Sequence, residues 1–400
     1  MIIENKEKFK LKNSYLSYLL MYHFYYFSWA LFAALISVYL LDLGYSATEV
    51  SFLLSVSFIF SMIVQPVIGY LSDRFSIKKV NSITLLIGGM GAVAFMLSKD
   101  LISLVFFYGL VIGMINGTNP VIEKMATTSR FSYGKIRIWG TIGYATGSQV
   151  AGLIYENIFP KAIFIFFVLS IILIVIGIYG TEELKEVNLE SELAVEDVNK
   201  ENSFIKILKN KEYLIYLIIA GIFFGTTNVS NSYIPAMLQE QGLEMGAISF
   251  ILFLAVICEA PIVFFCGIFM DKVSNKKLLI IAFLLIITQY FCYSISPLIS
   301  FKVFATFLAK HVAGMLFVMI NLKVISTIVS VRYQITALAL VATISKNLST
   351  VIFQNVSGFI LDNYSFEKMF LVLMIASVIG LIVVVFYKIP SGNDKKLFSQ

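Results

Sequence analysis

Two charged side chains, Glu259 and Lys346, lie near the middle of long apolar stretches of the sequence. A charge at the centre of a membrane-spanning segment costs at least ~2.5–3.5 kcal/mol, so such residues are normally paired or functional. A carboxylate whose distance from a cation changes can take up a proton in one state and release it in another. We therefore predict that Glu259 carries a proton and that Lys346 tunes it, with a purely structural ion pair as the alternative. His311 and Glu123 are the next candidates for the proton site.

A second group with chemical potential lies in the stretch 134–156, where Arg137, Thr141 and Tyr144 recur at helical spacing. A guanidinium presents several donors in a fixed plane, and an aromatic ring can stack on a sugar or a base. This combination favours binding of a hydroxyl-rich solute. Two plainer interpretations stay open: Arg137 extends to the lipid headgroups or pairs with Glu123, and Tyr144 is an ordinary packed aromatic.

The opposite face of the same stretch carries only small residues, which would let a second helix approach closely. They are Gly140, Gly143, Gly147 and Ala151.

Amide side chains add a third set of candidates, Asn119, Asn228 and Asn231. An amide both donates and accepts hydrogen bonds, which suits solute hydroxyls, but it can equally hold two helices together. The sequence has no HExxH, no GxxxxGK[ST] loop and no Cys/His cluster with metal spacing. We predict no metal, no cofactor and no enzyme activity, and the missing phosphate loop excludes ATP-driven transport within this chain.

The elements that must position these residues follow from composition. Apolar residues make up 59% of the 400 residues and charged residues only 14%, with a mean hydropathy of +0.88, whereas soluble domains carry about 25% charge. Most of the chain therefore lies in lipid, where backbone groups must be satisfied within helices. At about 20 residues per span plus loops, there is room for roughly twelve spans. Twelve apolar runs are present, at about 15–41, 47–72, 78–97, 101–124, 134–156, 160–180, 212–239, 245–270, 277–296, 300–329, 333–361 and 367–387.

Basic residues before the first run, after the last and in alternate loops predict that both termini are cytoplasmic. The net charge of +6 is divided among these loops, so it indicates membrane topology and no nucleic-acid partner. We divide the chain into an N-terminal six-helix half (1–180), a polar cytoplasmic linker (181–211) and a C-terminal six-helix half (212–400). A surface helix near 204–208 is one possibility within the linker.

An internal repeat supports the two halves. The pattern G-x-x-x-D-[RK]-x-x-x-K-K begins at Gly69 and again at Gly267, about half the chain apart, and each copy ends an apolar run. Such duplication is typical of repeat-built transporters.

This loop resembles the signature of the major facilitator superfamily, which implies that its residues control movement between the halves. The residues concerned are Gly69, Asp73, Arg74, Asp271 and Lys272. Further stretches resemble the oligosaccharide–proton and nucleoside–proton symporter branches, namely 60–73, Glu123-Lys124, Tyr133–Gly140, Arg137–Tyr144 and the pair Arg332 and Lys346.

The departures from that resemblance bear on the substrate. Where the oligosaccharide branch carries acidic side chains in its fourth and seventh helices, this chain has Asn119, Asn228 and Asn231. Lys310 and Ala313 stand where that branch carries a His and a Glu in its tenth helix. A galactoside site of that type is therefore not expected.

Together these observations predict an all-α membrane protein with twelve transmembrane helices in two pseudo-symmetric halves, the major facilitator fold. We expect a monomeric secondary transporter of the bacterial inner membrane that imports a small polar solute, a sugar or nucleoside, with protons. An uncoupled facilitator or a proton-driven exporter is the alternative. A polytopic membrane enzyme or sensor is a more distant one.

Overall fold

The computed structural model describes residues 12–182, 209–295, 298–330 and 333–392, apart from the side chain of Ile335. Regular structure in these ranges is entirely helical. Most of the predicted linker, the basic residues 6–10, 395 and 396, and Arg332 lie outside the described residues.

Every predicted apolar run is helical, and four of the runs are interrupted. The helices of the first half are α1 (Tyr15–Ala33), α2 (Ile36–Asp42), α3 (Ala47–Arg74), α4 (Ile77–Leu97), α5 (Leu101–Thr127), α6 (Tyr133–Asn157) and α7 (Ala162–Gly180). Those of the second half are α8 (Lys211–Glu240), α9 (Met245–Ile257), α10 (Ala260–Phe269), α11 (Asn275–Ile295), α12 (Ile299–Ala309), α13 (Val312–Ile328), α14 (Gln334–Leu340), a π-helix (Val341–Leu348), α15 (Ser349–Asn363) and α16 (Phe366–Phe386).

Eleven helical stretches in the described ranges are long and apolar enough to cross a membrane. The remaining predicted span, α6, has 25 residues but falls outside this set. Its sequence explains why, because it combines glycines and hydroxyl side chains with Lys135, Arg137 and Glu156. The polar face that makes α6 a candidate for solute binding is also what lowers its hydropathy.

The described residues form two compact units. The first contains the residues up to Ala34 and those from Phe60 to Glu182; the second contains Leu35–Ile59 and the described residues from Lys209 onward. The predicted halves differ from this grouping at 35–59.

Hydrogen bonds within the second unit account for that difference. The carboxylate of Asp362 accepts from the backbone N–H groups of Ala47 and Thr48, at 2.7 and 2.9 Å, and so satisfies the first turn of α3. Asn355 of α15 donates to the hydroxyl of Ser55 at 2.8 Å. The beginning of α3 is thereby attached to α15.

In the first unit, the small face of α6 packs against α1, which agrees with the predicted close approach of a second helix to this face. A Cβ atom on Gly143 would lie 2.2 Å from the backbone oxygen of His23, and one on Gly147 would lie 2.5 Å from that of Phe27. Glycine is required at these positions because the opposing atoms belong to backbone and cannot rotate away.

We expect Gly143→Ala to lower the melting temperature of the purified protein, since overpacking costs roughly 1–3 kcal/mol. Gly134→Ala is the matched control: it lies on the same helix, and a Cβ there meets nothing within 4 Å. Alanine is also the better helix former at both sites, so the comparison isolates the packing effect. Equal melting temperatures for the two variants would contradict the close α1–α6 contact.

Candidate functional site

The first candidate site lies in the first unit and is centred on the carboxylate of Glu123 in α5. Three tyrosine hydroxyls donate to it: Tyr22 at 2.6 Å, Tyr26 at 2.9 Å and Tyr133 at 2.8 Å. Tyr22 and Tyr26 are one turn apart on α1, so both reach the same oxygen atom. A partly buried carboxylate with three such donors is held in one orientation.

Arg137 of α6 faces this cluster. Its Cζ atom lies 5.4 Å from the ring centroid of Tyr26, and its charge interacts with that of Glu123. A guanidinium over an aromatic face contributes ~0.5–1 kcal/mol at exposed sites and about 2 kcal/mol when desolvated. This placement agrees with a role inside the protein. Arg137 interacts with Glu123 through their opposite charges, and Tyr26 contacts both residues.

Asn119 and Trp29 complete the arrangement around Tyr26. The amide of Asn119 donates to the Tyr26 hydroxyl at 3.3 Å. The indole of Trp29 stacks on the Tyr26 ring, with centroids 6.0 Å apart and planes at 24°. Aromatic faces beside a charged donor and a charged acceptor suit a ring that carries hydroxyl groups.

Thr141 and Tyr144 follow Arg137 on α6 by one and two turns, and both are partly exposed. Tyr144 lies in the neighbourhood of Tyr108 of α5, and the two side chains influence each other electrostatically. The residues that sequence reasoning missed here are Tyr22, Tyr26, Trp29 and Tyr133.

The second candidate site lies in the second unit, where two interrupted helices meet. Glu259 occupies the break between α9 and α10, and Lys310 and His311 occupy the break between α12 and α13. The Oε2 atom of Glu259 lies 3.6 Å from Nδ1 of His311, and the Lys310 ammonium lies 3.1 Å from Nε2 of the same ring. Glu259 and Lys310 are buried, at 8% and 9% exposed, and His311 is partly exposed.

Local sequence explains the first break. Pro261 has no N–H and cannot donate to the carbonyl one turn earlier, so α9 ends at Ile257 and α10 begins at Ala260. Interrupted membrane helices are tolerated where neighbouring groups satisfy the freed backbone, and transporters commonly bind substrate or ions at such points.

The predicted ion pair between Glu259 and Lys346 is not present among the described residues, and Glu259 contacts His311. Lys346 lies in the π-helix and makes no ion pair within the described ranges. The segment is fixed to α8 one turn later, where the amide of Asn228 donates to the Thr350 hydroxyl at 2.8 Å. Asn231, one turn after Asn228, is partly exposed.

The two copies of the repeated loop differ in their surroundings. Asp73 and Arg74 are exposed at the end of α3, with the Arg74 Cζ atom 4.3 Å from the Tyr70 ring centroid. Asp271 is only 7% exposed. Beside it, the fully buried ammonium of Lys323 donates to the carbonyls of Met270 and Val273 at 2.6 and 2.7 Å. Lys323, which the sequence analysis did not single out, therefore holds the second copy in place.

Metal ligation is not indicated where the structure is described, since no group of three or more His, Cys, Asp or Glu side chains comes together there.

Comparison with known proteins identifies the family. The chain matches the MFS_1 like family over residues 15–372. It is 24% identical over 356 residues to an uncharacterized transporter of Bacillus subtilis (strain 168), YwbF, with 86% of each chain covered. It is 23% identical over 372 residues to the maltose permease of Geobacillus stearothermophilus, covering 91% of this chain and 92% of that one.

Among solved structures, that of the nucleoside transporter NupG resembles this fold with a TM-score of 0.78 at 16% identity, covering 93% of this chain and 99% of the other. These relatives are transporters and permeases, not enzymes. The family match spans most of the chain, and the helices and the structural likeness agree with it. The chain therefore belongs to the MFS_1 like family and is a multi-pass membrane transporter with the twelve-helix fold of the major facilitator superfamily.

Proposed function

We propose that the protein imports a small hydroxyl-rich solute, of the oligosaccharide or nucleoside type, together with a proton. The observation that carries this proposal is the buried Glu259 carboxylate at a helix break, 3.6 Å from an imidazole. A carboxylate at that depth is stable only when it is paired or protonated, and a proton carrier alternates between those two conditions.

The solute class is supported by the cluster in the first unit. Glu123 fixes Tyr26, and Tyr26 in turn lies under Arg137 and against Trp29. The Arg137 fork can donate to solute hydroxyls while an aromatic face packs on the ring. The relatives named for maltose and for nucleosides both carry solutes with hydroxylated rings.

Several residues keep the roles that the sequence suggests for them. We assign solute contacts to Arg137, Asn119, Thr141, Tyr144, Asn228, Asn231 and Lys346. We assign control of the conformational change to Gly69, Asp73, Arg74, Asp271 and Lys272. His311 lies beside Glu259 and is a further candidate for the proton, as is Glu123.

One observation favours the alternative of an uncoupled facilitator. Lys310 occupies a helix break where the resemblance would place a titratable His, and its charge interacts with Glu259. If this lysine keeps Glu259 permanently charged, the carboxylate cannot carry a proton.

Orientation and assembly belong to the same proposal. We propose a monomer in the bacterial inner membrane, and the clustering of lysine and arginine in alternate loops supports an orientation with both termini in the cytoplasm.

The test is uptake into proteoliposomes with an alkaline interior. Maltose and uridine are supplied outside, after a thermal-stability screen shows which solutes bind the purified protein. We expect accumulation above the external concentration and collapse to equilibrium when a protonophore is added. If the internal solute concentration only reaches the external concentration, with or without the pH gradient, the protein is an uncoupled facilitator.

A further inference from the structure

Among the described residues, Lys346 differs from the buried lysines of the same unit in having no charged or carbonyl partner. The Nζ atom of Lys302 lies 3.5 Å from Oε1 of Glu367. The charge of Lys310 interacts with that of Glu259, and the ammonium of Lys323 donates to two backbone carbonyls. In the described part of the chain, Lys346 makes no ion pair, and no carboxylate interacts with its charge. Its side chain is partly exposed.

An ammonium near the middle of a spanning helix is costly unless an anion or a set of backbone carbonyls lies beside it. Lys346 lies close to the centre of the candidate span Thr336–Asn363. Two polar contacts join this segment to the facing helix α8: the amide of Asn228 bonds to Thr350, and the carbonyl of Leu217 accepts from the Ser345 hydroxyl. An amide carries no charge, so it cannot neutralise the lysine. The counter-charge must come from elsewhere.

The backbone at Lys346 is also irregular. Residues Val341–Leu348 form a π-helix between two α-helical segments. Such wide turns are rare and frequently occur at functional sites, because the extra residue redirects a side chain. The departure from α-helical hydrogen bonding at Lys346 therefore favours a functional role for this segment over a purely structural one.

We propose that the transported solute supplies the missing anion: it is a hydroxylated carboxylate, such as a sugar acid, whose carboxyl group binds the ammonium of Lys346. This inference rests on the proposed function, since it specifies the solute of that transporter. It also determines the net charge that crosses the membrane in each transport cycle. That charge is zero, because a monoanion and one proton move together.

Matched pairs of solutes test the proposal directly. Glucuronate is compared with glucose, and maltobionate with maltose, by calorimetric titration of the purified full-length protein. We expect an acid to bind and its neutral counterpart to bind at least tenfold more weakly. Lys346→Gln should weaken acid binding about ten- to a hundredfold, since a charge-assisted hydrogen bond is lost. Lys346→Arg retains the charge and should retain most of the affinity.

Lys368→Gln serves as the matched control, because it removes an exposed lysine from the same unit. Each variant is first checked for a monodisperse peak in size-exclusion chromatography. The proposal is overturned if a neutral solute binds as tightly as its acid, if Lys346→Gln binds the acid like the wild type, or if none of the acids binds.

Proton movement, measured separately, distinguishes the two proposals. Proton-coupled uptake of a neutral solute would leave the proposed function standing and overturn this inference. If an acid binds and enters in a way that depends on Lys346 but does not respond to a pH gradient, this inference stands and the proposed proton coupling is wrong.

Discussion

Glu259→Gln should abolish accumulation of solute against its gradient while leaving solute exchange across the membrane intact. Glutamine mimics the protonated carboxyl permanently, so the variant can complete every step except proton release. Exchange needs no deprotonation and should proceed near the wild-type rate. The measurement is pH-driven uptake and counterflow exchange in the same batch of proteoliposomes.

Glu244→Gln is the control for this variant, because the substitution removes an exposed carboxylate from the residue that directly precedes α9. It should accumulate solute normally. If Glu259→Gln still accumulates solute against its gradient, a residue other than Glu259 carries the transported proton. Loss of accumulation in His311→Gln, with Glu259→Gln active, would move the site to the imidazole that lies 3.6 Å away.

Arg137→Lys should lower the affinity for solute by about ten- to a hundredfold, even though the positive charge is retained. A hydrogen bond that involves a charged group contributes roughly 1.5–3 kcal/mol, and an ammonium cannot reproduce the planar fork or its position over the Tyr26 ring. Calorimetric titration with the solute found in the stability screen measures the effect.

Lys135→Gln is the matched control, since it removes an exposed basic residue two positions earlier on α6. It should bind the solute like the wild type. Unchanged binding by Arg137→Lys, with Lys135→Gln also unchanged, would mean that Arg137 serves only to position Glu123 and its tyrosines, or to reach the headgroups.

The helical fold could be predicted from the sequence because lipid leaves few choices. Long apolar runs must be helices, and their number follows from the chain length. The interruptions are harder to predict. Pro261 could have indicated the α9–α10 break, but no proline marks the break at Lys310 and His311, and nothing in the sequence signals the π-helix around Lys346.

The candidate sites were predictable in part. The spacing of Arg137 and the small face of α6 follow from helical periodicity, and the structure places that face against α1. The Glu123 tyrosines were missed because aromatic residues make up 15% of the chain, so no single tyrosine stands out.

The partner of Glu259 was misjudged for a different reason. Its contact with His311 joins two helix breaks that are distant in sequence, and periodicity within one helix carries no information about rotation relative to another. The position of Lys346 near the middle of a span makes it a candidate partner, but that position does not show which helices are neighbours.

Solute-driven proton entry tests the central claim most directly. Proteoliposomes that contain a trapped pH-sensitive dye receive an inward solute gradient with no initial pH difference. The account predicts that the lumen of vesicles with wild-type protein acidifies when solute enters, and that it does not acidify with Glu259→Gln. Solute entry without acidification in the wild type, or acidification that persists in Glu259→Gln, would contradict it.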